Sequence, residues 1–125
     1  MADPEQLAIL KQGVITWNQW RKEHPDVEPD LMEAALDDAE LPSVDLSYAI
    51  LNGASLIEAN LRGAKLSGAK LSGATLYKTD LSGADLSGAT LIATYLDSAT
   101  LYEANLTNAN LGFPLQLHFL NSTIV

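Results

Sequence analysis

The stretch Ala59-Asn60-Leu61-Arg62-Gly63-Ala64-Lys65-Leu66-Ser67-Gly68-Ala69-Lys70-Leu71-Ser72-Gly73-Ala74-Thr75-Leu76 decides the fold: leucine recurs every fifth residue, with alanine two places before it. The leucine period runs unbroken from Leu31 to Leu111, seventeen times. A step of five fits neither ordinary element, because it turns each leucine by about 140° on a helix and alternates it between faces on a straight strand. The leucines share one interior only if the chain turns a corner after each pentapeptide and winds into a solenoid. The pattern therefore predicts an all-β solenoid, a β-helix.

The residue two before each leucine is small: Ala34, Ala39, Val44, Ala49 and Ala54 open a run that continues to Ala104 and Ala109, with Thr79 and Thr94 as exceptions. Two residues apart on extended chain means the same face, so this position also points inward. A threonine there buries a hydroxyl that must find a carbonyl partner or cost about 1–3 kcal/mol. The residue between faces out, as in Asn60, Lys65, Lys70, Asp80, Asp85 and Asn105.

Gly53, Gly63, Gly68, Gly73, Gly83 and Gly88 stand third in tetrapeptides such as Leu66-Ser67-Gly68-Ala69, where a type II turn takes positive φ. They pair twenty residues apart, 53 with 73, 63 with 83 and 68 with 88, which predicts four pentapeptides per coil. The column Ile57-Glu58, Tyr77-Lys78, Asp97-Ser98 has no glycine, which predicts a different turn geometry at that corner.

Ala59-Asn60-Leu61, Ala84-Asp85-Leu86, Ala104-Asn105-Leu106 and Ala109-Asn110-Leu111 resemble the A(D/N)LXX signature of pentapeptide-repeat proteins. The resemblance covers about residues 34–113 and implies that family's right-handed quadrilateral β-helix, here of about four coils. Lys65, Lys70, Thr75 and Tyr95 depart from Asp or Asn at the outward position.

The 125 residues divide into a helical cap at 1–24, an acidic connector at 25–33, the repeats at 34–113 and a C-terminal cap or tail at 114–125. Asp3, Pro4 and Gln6 read as a helix start, with Asp3 as N-cap, Pro4 at the first position and Gln6 reaching back. One helix from Pro4 to Glu23 then presents Leu7, Leu10, Val14, Trp17 and Trp20 on a single stripe. That stripe suits the open first coil, with its exposed leucines and unpaired edges. Residues 17–22 have an alternative reading as a recognition element. A helical opening before the repeats resembles cyanobacterial members of the family. At the other end Phe113, Leu115, Leu117 and Phe119 alternate with polar residues as a strand would, either closing the last coil or pairing with a second copy in a homodimer.

The net charge is −9, and it is unevenly placed. Residues 1–45 hold eleven acids against three bases, whereas residues 46–125 hold five against four. The resemblance brings one family activity into view, inhibition or protection of DNA gyrase or topoisomerase by mimicry of duplex DNA. A mimic needs a long anionic stripe. Here the columns mix signs, as in Asp45, Lys65, Asp85, Asn105 and in Asp38, Glu58, Lys78, Ser98, which read instead as stacked pairs. Cysteine is absent, and His24 and His118 lie at opposite ends of the repeats, so the expectation is no catalytic, cofactor or metal site and no enzyme. No long apolar run or signal peptide is read, so no membrane partner and a cytoplasmic location are expected, with no direct nucleic-acid binding. The sequence reads as a non-enzymatic scaffold or protein-interaction module whose partner is an unknown protein; the alternative is the DNA mimic.

Overall fold

The computed structural model describes residues 1–112. Two helices, α1 at Pro4–Leu10 and α2 at Val14–Glu23, precede the repeats. Over residues 30–112 the chain is a β-helix held by isolated parallel bridges, each joining residues twenty apart, from Asp30↔Ile50 through Lys65↔Asp85 to Thr90↔Asn110. Pairing starts at Asp30, within the stretch read from sequence as connector.

The bridging residue is the outward one between alanine and leucine. Its N–H donates to the coil before it and its C=O accepts from the leucine of that same coil, as in Lys65 N to Val44 O at 2.9 Å and Leu46 N to Lys65 O at 2.8 Å. A further bond crosses two residues later, from Tyr48 N to Ser67 O at 2.9 Å. Inside, Leu46, Leu51, Leu56, Leu61 and Leu66 are fully buried, as are Ala49, Ala64 and Ala69.

Every corner has one conformation. The residue two after each leucine from Leu31 to Leu106 takes positive φ, whether glycine, as at Gly68 (65°), or not, as at Tyr48 (60°). The N–H one place further donates to the leucine carbonyl, as in Ala69 N to Leu66 O at 3.0 Å. The expectation of a distinct turn in the glycine-free column is thus corrected: Glu58, Lys78 and Ser98 sit at 59°, 57° and 60°. Each costs about 1–2 kcal/mol relative to a relaxed backbone, and at Glu58 and Lys78 the ladder above and below leaves the chain no alternative path.

The buried threonines find their partners. Thr79 Oγ1 donates to Leu56 O and Thr94 Oγ1 to Leu71 O, both at 2.7 Å.

The single helix expected over 4–23 is corrected to two. Gly13, at φ 112°, breaks it and becomes the N-cap of α2. Asp3 does cap α1, accepting from Glu5 N and Gln6 N. Gln6 does not reach back; its Oε1 accepts from Asp30 N at 2.7 Å, while Asp3 N donates to Asp30 O at 2.9 Å. The helix start is therefore tied to the first coil.

Candidate functional site

The first coil has a lower edge with no coil beneath it, and α1 and α2 lie against two of its four sides. Leu10 and Trp17 are fully buried there, while Leu7, Val14 and Trp20 are partly buried against the same core. Trp20 stacks between Trp17, with centroids 5.0 Å apart, and His24, at 4.9 Å. Phe113, Leu115, Leu117 and Phe119 lie outside the described residues.

Side chains of α2 supply the bonds a preceding coil would have made. Asp45 N donates to Asn18 Oδ1 at 2.8 Å, and Asp45 O accepts from Trp17 Nε1 at 2.7 Å and Arg21 Nη1 at 3.1 Å. Arg21 Nη2 donates to Ser47 O at 3.0 Å and Asn18 Nδ2 to Ser43 O at 3.1 Å. Sequence reading took the apolar stripe, gave Gln6 a capping role within its own helix, and did not assign Asn18 and Arg21 to the coil edge. The available signal was spacing: Arg21 lies one helical turn beyond Trp17, on the face that packs. Burial lowers the Arg21 pKa, with the Asp45 carboxylate opposing, and its buried Nε has no partner among the described residues.

The other two sides of that edge are bare. The N–H and C=O of Ala35 and of Glu40, and the C=O of Asp37, make no hydrogen bond among the described residues. A cleft of about 460 Å³ runs between them and the α1–α2 junction, lined by Leu10, Lys11, Gly13, Leu36, Asp37 and Glu40.

On the shaft, outward Asp and Asn side chains have a job that polarity alone did not reveal. Each accepts from the amide two residues on, bracing the corner: Asp45 from Ser47 N, Asn60 from Arg62 N, Asp80 from Ser82 N, Asp85 from Ser87 N and Asn105 from Thr107 N. Where Ser55 replaces the acid, Asp37 from the coil below takes over, accepting from Ile57 N at 3.0 Å and from Ser55 Oγ. The Ser87 hydroxyl, then its amide, hold the Asp85 carboxyl below its ordinary pKa against a small opposing effect of burial. At Asp80 burial pushes upward, but Ser82 and Arg62 together outweigh it and the carboxyl titrates low.

The mixed-sign columns are in register, since Lys65 bridges both Asp45 and Asp85, yet the expected stacked ion pairs do not form. The side-chain ion pairs among the described residues are Arg62–Asp80 at 3.1 Å and Lys70–Glu28 at 3.0 Å, which run diagonally or to the connector. Tyr77, Tyr95 and Ile92 are exposed on the upper shaft and Ile15 on α2. Among the described residues no group of three or more acidic, histidine or cysteine residues is placed to hold a metal ion. No helix among them is long and apolar enough to cross a membrane.

A β-helix of five-residue sides, with leucine and alanine inside and a bracing Asp or Asn outside, defines a class of proteins. The chain belongs to the pentapeptide-repeat family, whose model matches residues 39–77 and 74–112. Membership implies the right-handed quadrilateral form of the helix, in keeping with the twenty-residue register. A pentapeptide repeat protein from the thylakoid lumen of Arabidopsis thaliana has a similar structure, with 31% identity and a TM-score of 0.63 over 74% of this chain and 59% of that one. One from Nostoc is 33% identical with a TM-score of 0.55, over 90% of this chain and 96% of the other. No match is found among curated proteins.

Proposed function

We propose that this chain is a non-enzymatic interaction scaffold of about four coils, with α1 and α2 as its N-terminal cap. The observation that carries the reading is how the outward side chains are held. In the middle coils the sides are locked above and below by backbone bonds at a fixed register, and the corners after Asp45, Asn60, Asp80 and Asp85 are braced by Asx turns, with Asp37 substituting at Ser55. Side chains on such a shaft lose little further entropy when a partner arrives, which favours binding by preorganisation. Exposed Tyr77, Tyr95 and Ile92 give the upper shaft the aromatic and aliphatic content that interface centres favour.

The rival reading, mimicry of duplex DNA, has less support. A mimic needs a continuous anionic stripe, and Lys65 interrupts the Asp45–Asp85 column while Arg62 neutralises Asp80. An aqueous compartment suits the chain. We assign the cytoplasm, although the lumenal Arabidopsis protein shows that the fold also serves elsewhere.

Quantitative capture from the source cells tests the scaffold reading. The same protein should be enriched by wild type and lost when Tyr77 and Tyr95 are both changed to serine. If wild type enriches nothing beyond an unfolded control such as Leu66→Asp, the reading fails. A supercoiling assay separates the rival, since inhibition of gyrase by the folded chain would establish mimicry.

A further inference from the structure

We propose that the bare half of the first coil's lower edge, Ala35 to Leu41, takes up an extended, basic segment of a partner protein by main-chain pairing. The inference rests on the scaffold reading and names one of its surfaces.

Three observations converge on this edge. The first is the pairing deficit. One coil higher the same positions are fully engaged: Ser55 N donates to Ala34 O, Leu36 N to Ser55 O and Asp38 N to Ile57 O, all at 2.8–2.9 Å. On the sides carrying Asp30 and Asp45 the helices make good the missing coil. Among the described residues, the Ala35 and Glu40 sides of this edge keep both the N–H and the C=O of the bridging residue free, with the spacing that a parallel segment twenty residues out of register would meet. An exposed edge of this kind is a template for strand addition.

The second is room. The cleft beneath the edge holds about 460 Å³, and a Cβ built on Gly13, at its far wall, would meet nothing within 4 Å. Leu10 already fills the interior below Leu36 and Leu41, so the incoming segment must carry small residues at its inward positions.

The third is charge. Asp37, Asp38 and Glu40 are exposed along this coil, the Asp37 and Glu40 carboxylates each accepting one or more bonds from the coil above, with Lys11 as the cation among the residues lining the cleft. A lysine or arginine at the outward positions of the segment complements the rim. Residues 113–125 carry no lysine or arginine, which argues against this chain's own tail as the occupant.

The probe is a labelled peptide, Ala-Lys-Ala-Ser-Gly-Ala-Lys-Ala, which copies residues 64–71 with Leu66→Ala and Leu71→Ala. Fluorescence anisotropy with the full chain should show saturable binding that weakens with salt. A peptide with glutamate for both lysines should not bind. Ala35→Pro removes an N–H that makes no bond among the described residues, and Glu40→Lys reverses a rim charge; each should weaken binding by about tenfold or more with an unchanged melt. Should Ala35→Pro fail to fold, Glu40→Lys and protection of the Ala35 and Glu40 amides by the peptide decide alone. Equal binding of both peptides, or binding indifferent to either variant, overturns the proposal. So does a wild-type dimer that Ala35→Pro dissociates, which would give the edge to a second copy. If the peptide does not bind but the Tyr77 and Tyr95 substitutions still release a captured partner, this proposal falls and the scaffold reading stands.

Discussion

The ring of Tyr48 lies over Gly68, one coil further along: a Cβ added to Gly68 would come within 2.6 Å of Tyr48 Cδ1. Gly73, at φ 72°, is the natural control, because a Cβ there meets nothing within 4 Å. Both Gly68→Ala and Gly73→Ala should lose about 1–2 kcal/mol from the left-handed backbone. Gly68→Ala should lose about 0.5–1.5 kcal/mol more as the ring is driven off its rotamer. In a Tyr48→Ala background the two glycine variants should melt alike; a persistent difference would mean the ring contact is not the cause.

Leu71 is 1% exposed in the middle of the stack, and coils above and below prevent collapse. Leu71→Ala should cost about 2–5 kcal/mol, whereas Ser67→Ala, whose hydroxyl makes only a 3.5 Å contact with Ser47 Oγ, should change stability little. Denaturant melts showing equal losses would contradict the inward assignment.

Much of this architecture is legible in the sequence, and the reasons are local. Leucine at every fifth position, the paired glycines of Gly68 and Gly88 and the small Ala69 and Ala89 each report one steric demand of the coil, so period, coil length and core follow from them. The corner at Glu58 and Lys78 misled because φ preference is a weak force there. About 1–2 kcal/mol at one residue yields to backbone bonds on both sides. Asn60 and Asp85 read as polar and outward, but their bond to the amide two residues on is invisible until the corner is known. The cleft and the bonds of Asn18 and Arg21 depend on how a broken helix lies across the coil, and Gly13 within the apolar stripe is the one local sign of that break.

Asn18 joins α2 to the edge through two bonds, so Asn18→Ala leaves the Asp45 N–H and the Ser43 C=O without partners. A loss of about 1–3 kcal/mol is expected in chemical melts. Gln19→Ala, which removes an exposed side chain bonded to Glu23, should stay within about 0.5 kcal/mol. Equal effects would detach α2 from the stability of the coil.

Asp85 titrates low because Ser87 stabilises its charged form. A depressed carboxyl contributes stability that is present above its unfolded value, about 3.9, and is lost as pH falls through the folded value. Asp85→Asn keeps the acceptor for Ser87 N, as Asn105 does for Thr107 N, but cannot titrate. Below about pH 4 the wild-type melting temperature should fall more steeply than that of the variant. Parallel curves would remove Ser87 as the source of the shift.

The account turns on a lower edge that is half covered by the helices and half open to a partner. Hydrogen exchange at four backbone amides of the free protein tests this directly. The amides of Asp30 and Asp45, which donate to Gln6 Oε1 and Asn18 Oδ1, should exchange slowly, and those of Ala35 and Glu40, which donate to nothing among the described residues, should exchange near the rate of open chain. Uniform protection of all four, or fast exchange at Asp30 and Asp45, would contradict it.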